Sequence, residues 1–223
     1  PGLAPMLRAY RGLLADRAAA MMWAMVERDV SHPSIIAWSM SNECATETQE
    51  VYASMEHLLE TAQQVDDTRL ITFASHRAEV DICFDLADVA CLNAYYGWYR
   101  HDLSWAEFLD RMAQHVGEKP LIVSEFSAGA IYGCRAAEED VIWSEEYQRK
   151  LLVDCIRLFC ARPDCAGFFI WQFCDTRTDR GADGHRALMR PRHMNNKGIV
   201  DEYRRKKLAY DALKALLGGA DGR

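Results

Sequence analysis

The sequence predicts an α/β protein built from parallel strand–helix units. Short apolar runs of strand length recur along the 223 residues, and segments with apolar residues at helical spacing lie between them. The connections are short, as repeated β/α units require. Two of the runs end abruptly in a carboxylate: Ile35-Ile36-Ala37-Trp38 leads into Asn42-Glu43, and Leu121-Ile122-Val123 leads into Glu125.

Taken in order, residues 6–28 read as an amphipathic helix with Met6, Leu13, Met21, Met22, Met25 and Val26 among its apolar positions. The methionines read as core packing, because methionine fills irregular gaps. Residues 29–33 turn into a first strand over 34–41. Val51, Met55, Leu58, Leu59 and Ala62 place a helix over 46–65, closed by Asp66-Asp67-Thr68. A second strand covers 70–74, residues 80–88 hold at most a helical turn, and a third strand covers 89–93. That strand runs into the aromatic cluster Tyr95-Tyr96-Gly97-Trp98-Tyr99, where Tyr96 reads as core. Ser104 with Glu107 forms a capping box, opening a helix that stops at Gly117. A fourth strand at 121–125, a helix over 145–161, and a fifth strand at 165–173 follow. A long polar loop over 175–196 and a last helix near 206–217, ending at Gly218-Gly219, complete the chain.

Composition excludes some classes. Hydrophobic content of 50% and charged content of 26% are ordinary for a globular protein. A net charge of −7 argues against broad nucleic-acid binding, and Arg204-Arg205-Lys206-Lys207 reads as a solvated helix start. No apolar run approaches the ~20 residues of a membrane span. The eight cysteines show no C-x-x-C spacing and no zinc pattern, so they read as buried free thiols of a reducing, cytoplasmic compartment. No histidine has a metal-ligand partner at i+4, and no glycine-rich phosphate loop is present, so neither a metal nor a nucleotide cofactor is implied.

In parallel α/β architectures chemistry sits at the C-terminal ends of strands. Glu43 and Glu125 therefore belong to one rim of one sheet, and two facing carboxylates are the minimal equipment for glycoside hydrolysis.

Several segments strengthen that reading. Residues 28–34 (RDVSHPS), 93–99 (NAYYGWY), 143–148 (WSEEYQ) and 195–198 (NNKG), with Asn42-Glu43 and Ser124-Glu125, resemble family 2 glycoside hydrolases of the β-glucuronidase type. The resemblance covers nearly the whole chain. It implies a (β/α)8 TIM barrel whose acids end strands four and seven. Residues 1–223 would be its C-terminal part, about strands 4–8, with N-terminal β-sandwich domains and the first barrel strands lying outside.

The same resemblance implies roles. Glu125 is the expected nucleophile and Glu43 the expected acid/base, about 5–5.5 Å apart as retention requires. Asn42 is expected to bond the sugar 2-hydroxyl, or else to cap its strand. Tyr95 would orient the nucleophile, and Tyr99 would reach the sugar's acid group. Trp171 would floor the sugar site, or else be a buried structural tryptophan. Asn195 and Lys197 would bind the C6 carboxylate of a uronic acid by charge-assisted hydrogen bonds. Either Arg190 or Arg192 would line the site. The implied partner is a carbohydrate, a β-glucuronide conjugate or oligosaccharide, and the parent enzyme would be a homo-oligomer. Two alternatives remain open: a family 2 hydrolase of a β-galacturonide or β-galactoside, and a catalytically inactive fragment.

Overall fold

The computed structural model describes residues 3–178 and 190–218, with side chains from residue 12 onward. The predicted polar loop over 175–196 and Gly219 therefore fall partly outside the described residues. The order is α1 (Leu3–Asp29), β1 (Ala37–Asn42), α2 (Gln49–Val65), β2 (Leu70–Ser75), β3 (Val89–Asn93), α3 (Trp105–Val116), β4 (Leu121–Phe126), α4 (Glu145–Ala161) and β5 (Cys165–Ile170). Two short strands, β6 (Thr176–Arg177) and β7 (Met194–Asn195), and α5 (Leu208–Gly218) follow. Strands β1 to β5 are neighbours in chain order within one sheet, and β6 pairs antiparallel with β7. The β1–β2 and β2–β3 pairings are parallel, which demands crossover connections such as α2.

The chain divides into two compact units: residues 1–93 with 111–122, and residues 94–110 with 123–223. In the first unit, α1 packs on α2. Ala19, Met22 and Val26 are buried on α1, and Met55, Leu58 and Ala62 on α2. Each enclosed Met, Leu or Val of this kind contributes about 1.5–3 kcal/mol. The expected methionine core is corrected here: Met22 is inside, but Met21 is 74% exposed, and Leu13, Leu14 and Trp23 also face outward. A helix offers its partner one stripe, and consecutive residues lie about 100° apart around the axis, so Met21 and Met22 cannot share it. Thr48 caps α2, accepting from Val51 N at 3.4 Å, and Asp66 ends it.

The first strand begins later than expected, at Ala37. The preceding segment is tied down by Arg69, which donates to the carbonyls of Val30, His32 and Ile35. Those carbonyls are engaged by a guanidinium instead of a strand ladder, and Ile36 is left exposed. β1 is also buried on one face only, through Trp38 and Met40. Residues 80–88 contain one short 3-10 turn, Phe84–Leu86, and a second, Ala78–Val80, precedes it.

The second unit has an aromatic core. Tyr96 stacks against Phe108 at 4.7 Å between centroids, and Phe159 meets Trp105 and Phe126 edge-on at 5.1 and 5.0 Å. Tyr96 is thus core, as expected, and 1% exposed. The capping box of α3 is formed: Ser104 N donates to Glu107 Oε2 at 2.8 Å and Glu107 N to Ser104 Oγ at 3.2 Å. Gly117, at φ +68°, follows α3. The last strand stops at Ile170, not at residue 173. Beyond it the backbone changes partner: Gln172 N donates to Lys197 O, and Ile199 N and Val200 N donate to the carbonyls of Gln172 and Phe173. All eight cysteines are free, as expected, but only Cys83, Cys91 and Cys155 are buried and Cys160 is exposed.

Candidate active site

In the first unit, β1 delivers Asn42 and Glu43. The β1–β2 register shifts between Ser39 and Asn42, and bulges of this kind re-aim a strand end. Glu43 then takes φ +54°, a left-handed conformation that is uncommon for a residue with a side chain and clusters at functional sites. Its N–H is held by Ala74 O at 2.9 Å. Both side chains are solvent-exposed. Asn93, at the end of β3, joins them: its Nδ2 donates to Asn42 Oδ1 at 3.0 Å and to Glu43 Oε1 at 3.1 Å. The Asn42 amide oxygen is thus bonded across the sheet to Asn93. Sequence reasoning did not single out Asn93 as a partner of these two residues, although its place at a strand end was the available signal.

In the second unit, β4 delivers Glu125 and the loop after β3 delivers the tyrosines. Tyr95 donates its hydroxyl to Glu125 Oε2 at 2.5 Å. Ala94 N donates to Glu125 O at 2.9 Å, fixing the loop to the strand. Lys197 is 2% exposed. Its ammonium donates to Tyr99 Oη at 2.5 Å and stands 4.4 Å from the Tyr99 ring centroid and 5.1 Å from that of Tyr95. Arg190 Nη1 also donates to Tyr99 Oη, at 2.8 Å, whereas Arg192 is exposed and faces Glu202 at 3.9 Å. Of the two arginines left open by the sequence, Arg190 is the one bonded to Tyr99.

These contacts shape the electrostatics. Burial pulls the Lys197 ammonium below the ordinary lysine range; its bond to Tyr99 and the Glu125 charge counteract this only in part, and Arg190 adds to the depression. Burial alone would raise the Tyr99 phenol, but Lys197 and Arg190 outweigh it and bring it below its ordinary value.

The loop around Lys197 is tightly built. Asn195 is buried, and its Oδ1 accepts from Lys197 N at 3.3 Å. Asn196 Nδ2 donates to Met194 O at 3.2 Å. Gln148 Nε2 reaches Ala128 O at 2.8 Å and Gly198 O at 3.2 Å, which gives the 143–148 segment a physical purpose. Trp171 lies one residue beyond β5, not at its end, with its backbone N–H donating to Phe126 O at 3.2 Å. It is 41% exposed. The reading of 204–207 as a solvated run is corrected at one position: Lys207 is 1% exposed and paired with Asp175 at 2.8 Å. Among the described residues no cluster of three or more His, Cys, Asp or Glu is arranged to hold a metal ion.

Residues 14–216 match the family described as glycosyl hydrolases family 2, TIM barrel domain. The chain belongs to that family. It is similar to a β-glucuronidase of Paenibacillus borealis, 31% identical over 87% of this chain and 32% of the relative. A Homo sapiens β-glucuronidase is 30% identical over 85% of the chain and 29% of its own length. The chain thus spans about a third of these curated relatives. Among solved structures, a family 2 β-galacturonidase from Eisenbergiella tayi bound to galacturonate matches with TM-score 0.82 and 37% identity, over 92% of this chain and 37% of that one. A Ruminococcus gnavus β-glucuronidase in complex with D-glucuronic acid matches with TM-score 0.77 and 30% identity, over 91% and 36%. Family membership accounts for the parallel strand–helix sheet: it is a portion of a TIM barrel.

Proposed function

We propose that the protein is a retaining glycosidase that cleaves β-glucuronides by double displacement. Glu125 attacks the anomeric carbon and the aglycone oxygen departs, forming a glycosyl ester. Glu43 gives that oxygen its proton and then removes one from the water that cleaves the ester. Asn42 bonds the 2-hydroxyl and Trp171 offers its face to the apolar side of the ring.

The observation that carries the substrate class is the Lys197–Tyr99–Arg190 cluster. Two cations donate to one phenol oxygen, which leaves the Tyr99 proton to donate to an incoming anion. A uronic acid brings a C6 carboxylate where a neutral hexose brings CH₂OH, and only the carboxylate repays the cost of burying an ammonium. Asn195 supports the cluster through its bond to the Lys197 backbone, and its amide is the remaining group for the same carboxylate.

A second reading, a β-galacturonidase, is favoured by the 37% identity to the galacturonate-bound structure. Glucuronate and galacturonate differ at C4 and share the C6 carboxylate, so the cluster serves both. The test is kinetics on aryl β-glucuronide, β-galacturonide, β-glucoside and β-galactoside. Lys197→Ala is expected to lower uronide kcat/KM roughly 10- to 150-fold, the worth of a charged hydrogen bond, and to leave neutral substrates within a few-fold. Equal losses on all four would remove the carboxylate argument. The preferred uronide decides between the two readings.

A further inference from the structure

The buried pair below Lys197 has a geometry that stability alone does not explain. Lys207 Nζ donates to Ala130 O at 2.6 Å, Asp175 Oδ1 at 2.8 Å and Asn196 O at 3.0 Å. An ammonium has three N–H donors, so three acceptors saturate it, and a neutral amine could serve only two of them. Asp175 Oδ1 accepts a second bond, from Gly198 N at 2.9 Å. The carbonyl of residue 196 and the N–H of residue 198, the peptide groups on either side of Lys197, therefore both end on this pair. The two side chains are 0% exposed. Gly198 lies against the same wall: a Cβ there would come within 2.3 Å of Asp175 N and 2.4 Å of Val200 O, so only glycine fits. Buried ion pairs are weak contributors to stability, and their replacement by uncharged groups of similar volume is often neutral.

We infer that Lys207 and Asp175 are positioning residues for sugar-acid recognition, holding the backbone on both sides of Lys197 so that its ammonium stands where a C6 carboxylate binds. The inference rests on the uronide reading above. Neither residue touches substrate; both act through the 196–198 backbone. Lys207 reaches that backbone from the chain segment entering α5, so one residue of the basic run after the loop is structural to the site.

The test uses the native protein with Asp175→Asn, Lys207→Met and the double variant. Each single change leaves a buried group without its partner and is expected to lower Tm. The double variant removes both charges together and is expected to recover most of that loss. In the double variant, and in Asp175→Asn, which keeps the side chain's shape, KM for the preferred aryl uronide is expected to rise about tenfold or more. The kcat/KM for the matching neutral aryl glycoside stays within a few-fold. A merely structural role would lower turnover of acidic and neutral substrates alike. Folded variants with an unchanged uronide preference, or with parallel losses on both substrates, would overturn the inference. A wild-type protein that shows no preference for uronides would instead overturn the uronide reading, a separate outcome visible before any variant is made.

Discussion

Glu43 and Glu125 both end strands, yet their surroundings contrast. Glu43 is exposed, sits on left-handed backbone and has one oxygen held by the Asn93 amide. Glu125 is half-buried, and its Oε2 takes a short bond from Tyr95, whose ring lies under the Lys197 ammonium. The difference fits the division of labour proposed above. A group that must exchange protons with a leaving group and with water is served by solvent access and light restraint. A group that must strike one carbon is served by a fixed rotamer, and a phenol donor locks one carboxylate oxygen as acceptor and aims the other.

The harshest way to break this contrast is Glu125→Gln. If Glu125 is the attacking group, kcat on an aryl β-uronide falls by roughly 10⁴- to 10⁶-fold with the fold intact. A 2-deoxy-2-fluoro uronosyl fluoride should label the wild-type protein, and peptide mass spectrometry should find the label on Glu125. A label on any other side chain would transfer the role elsewhere.

Glu43→Gln should cost less and should discriminate between substrates. Removal of a general acid costs about 10²- to 10⁴-fold, and the loss is graded by how much the leaving group needs a proton. In kcat/KM, which reports departure of the aglycone, alkyl uronides should suffer most and dinitrophenyl uronides least, because an acidic phenol departs unaided. A kcat/KM loss independent of the leaving group would mean that Glu43 does not act as the acid.

The contrast also shows what a sequence can carry. The limits of β3 and α4 were legible to the residue; a polar strand exit marks the first, and Ser144, not singled out as a cap in the sequence, caps the second. Glu43 and Glu125 were legible as acids at strand exits. Lys207 was not: its burial follows from acceptors on Ala130, Asp175 and Asn196, all more than ten residues away, and its own neighbours are basic. Arg190 and Arg192 could not be separated by spacing either, since residues 191–193 form a 3-10 turn with Arg192 at φ 59°, which carries the two side chains to different partners. The end of β5 was overrun for a related reason: Trp171 and Phe173 prolong the apolar run on either side of Gln172, but the backbone of Gln172 and Phe173 bonds to Lys197, Ile199 and Val200. Apolar periodicity reports burial, and it is silent on which backbone a segment pairs with.

The smallest expected effect concerns pH, and it sharpens the contrast from the Lys197 side. In the proposed mode carboxylate binding requires the Lys197 ammonium, and burial has lowered the pKa at which that proton leaves. The charged form therefore dominates at low and neutral pH and is lost as pH rises through the lowered value, before the ordinary lysine value of about 10.4 is reached. Uronide kcat/KM, which reports the free protein, should show an alkaline decline that the neutral aryl glycoside lacks. Steps common to both substrates cancel in the ratio of the two profiles, so the ratio isolates the Lys197–Tyr99 pair, whose two pKa values are both lowered. A flat ratio up to the ordinary lysine range would mean that the buried ammonium is not what distinguishes a sugar acid from a neutral sugar. An acidic-limb change in that ratio would point to the substrate's own carboxylate, whose protonation removes the charge that Lys197 is placed to meet.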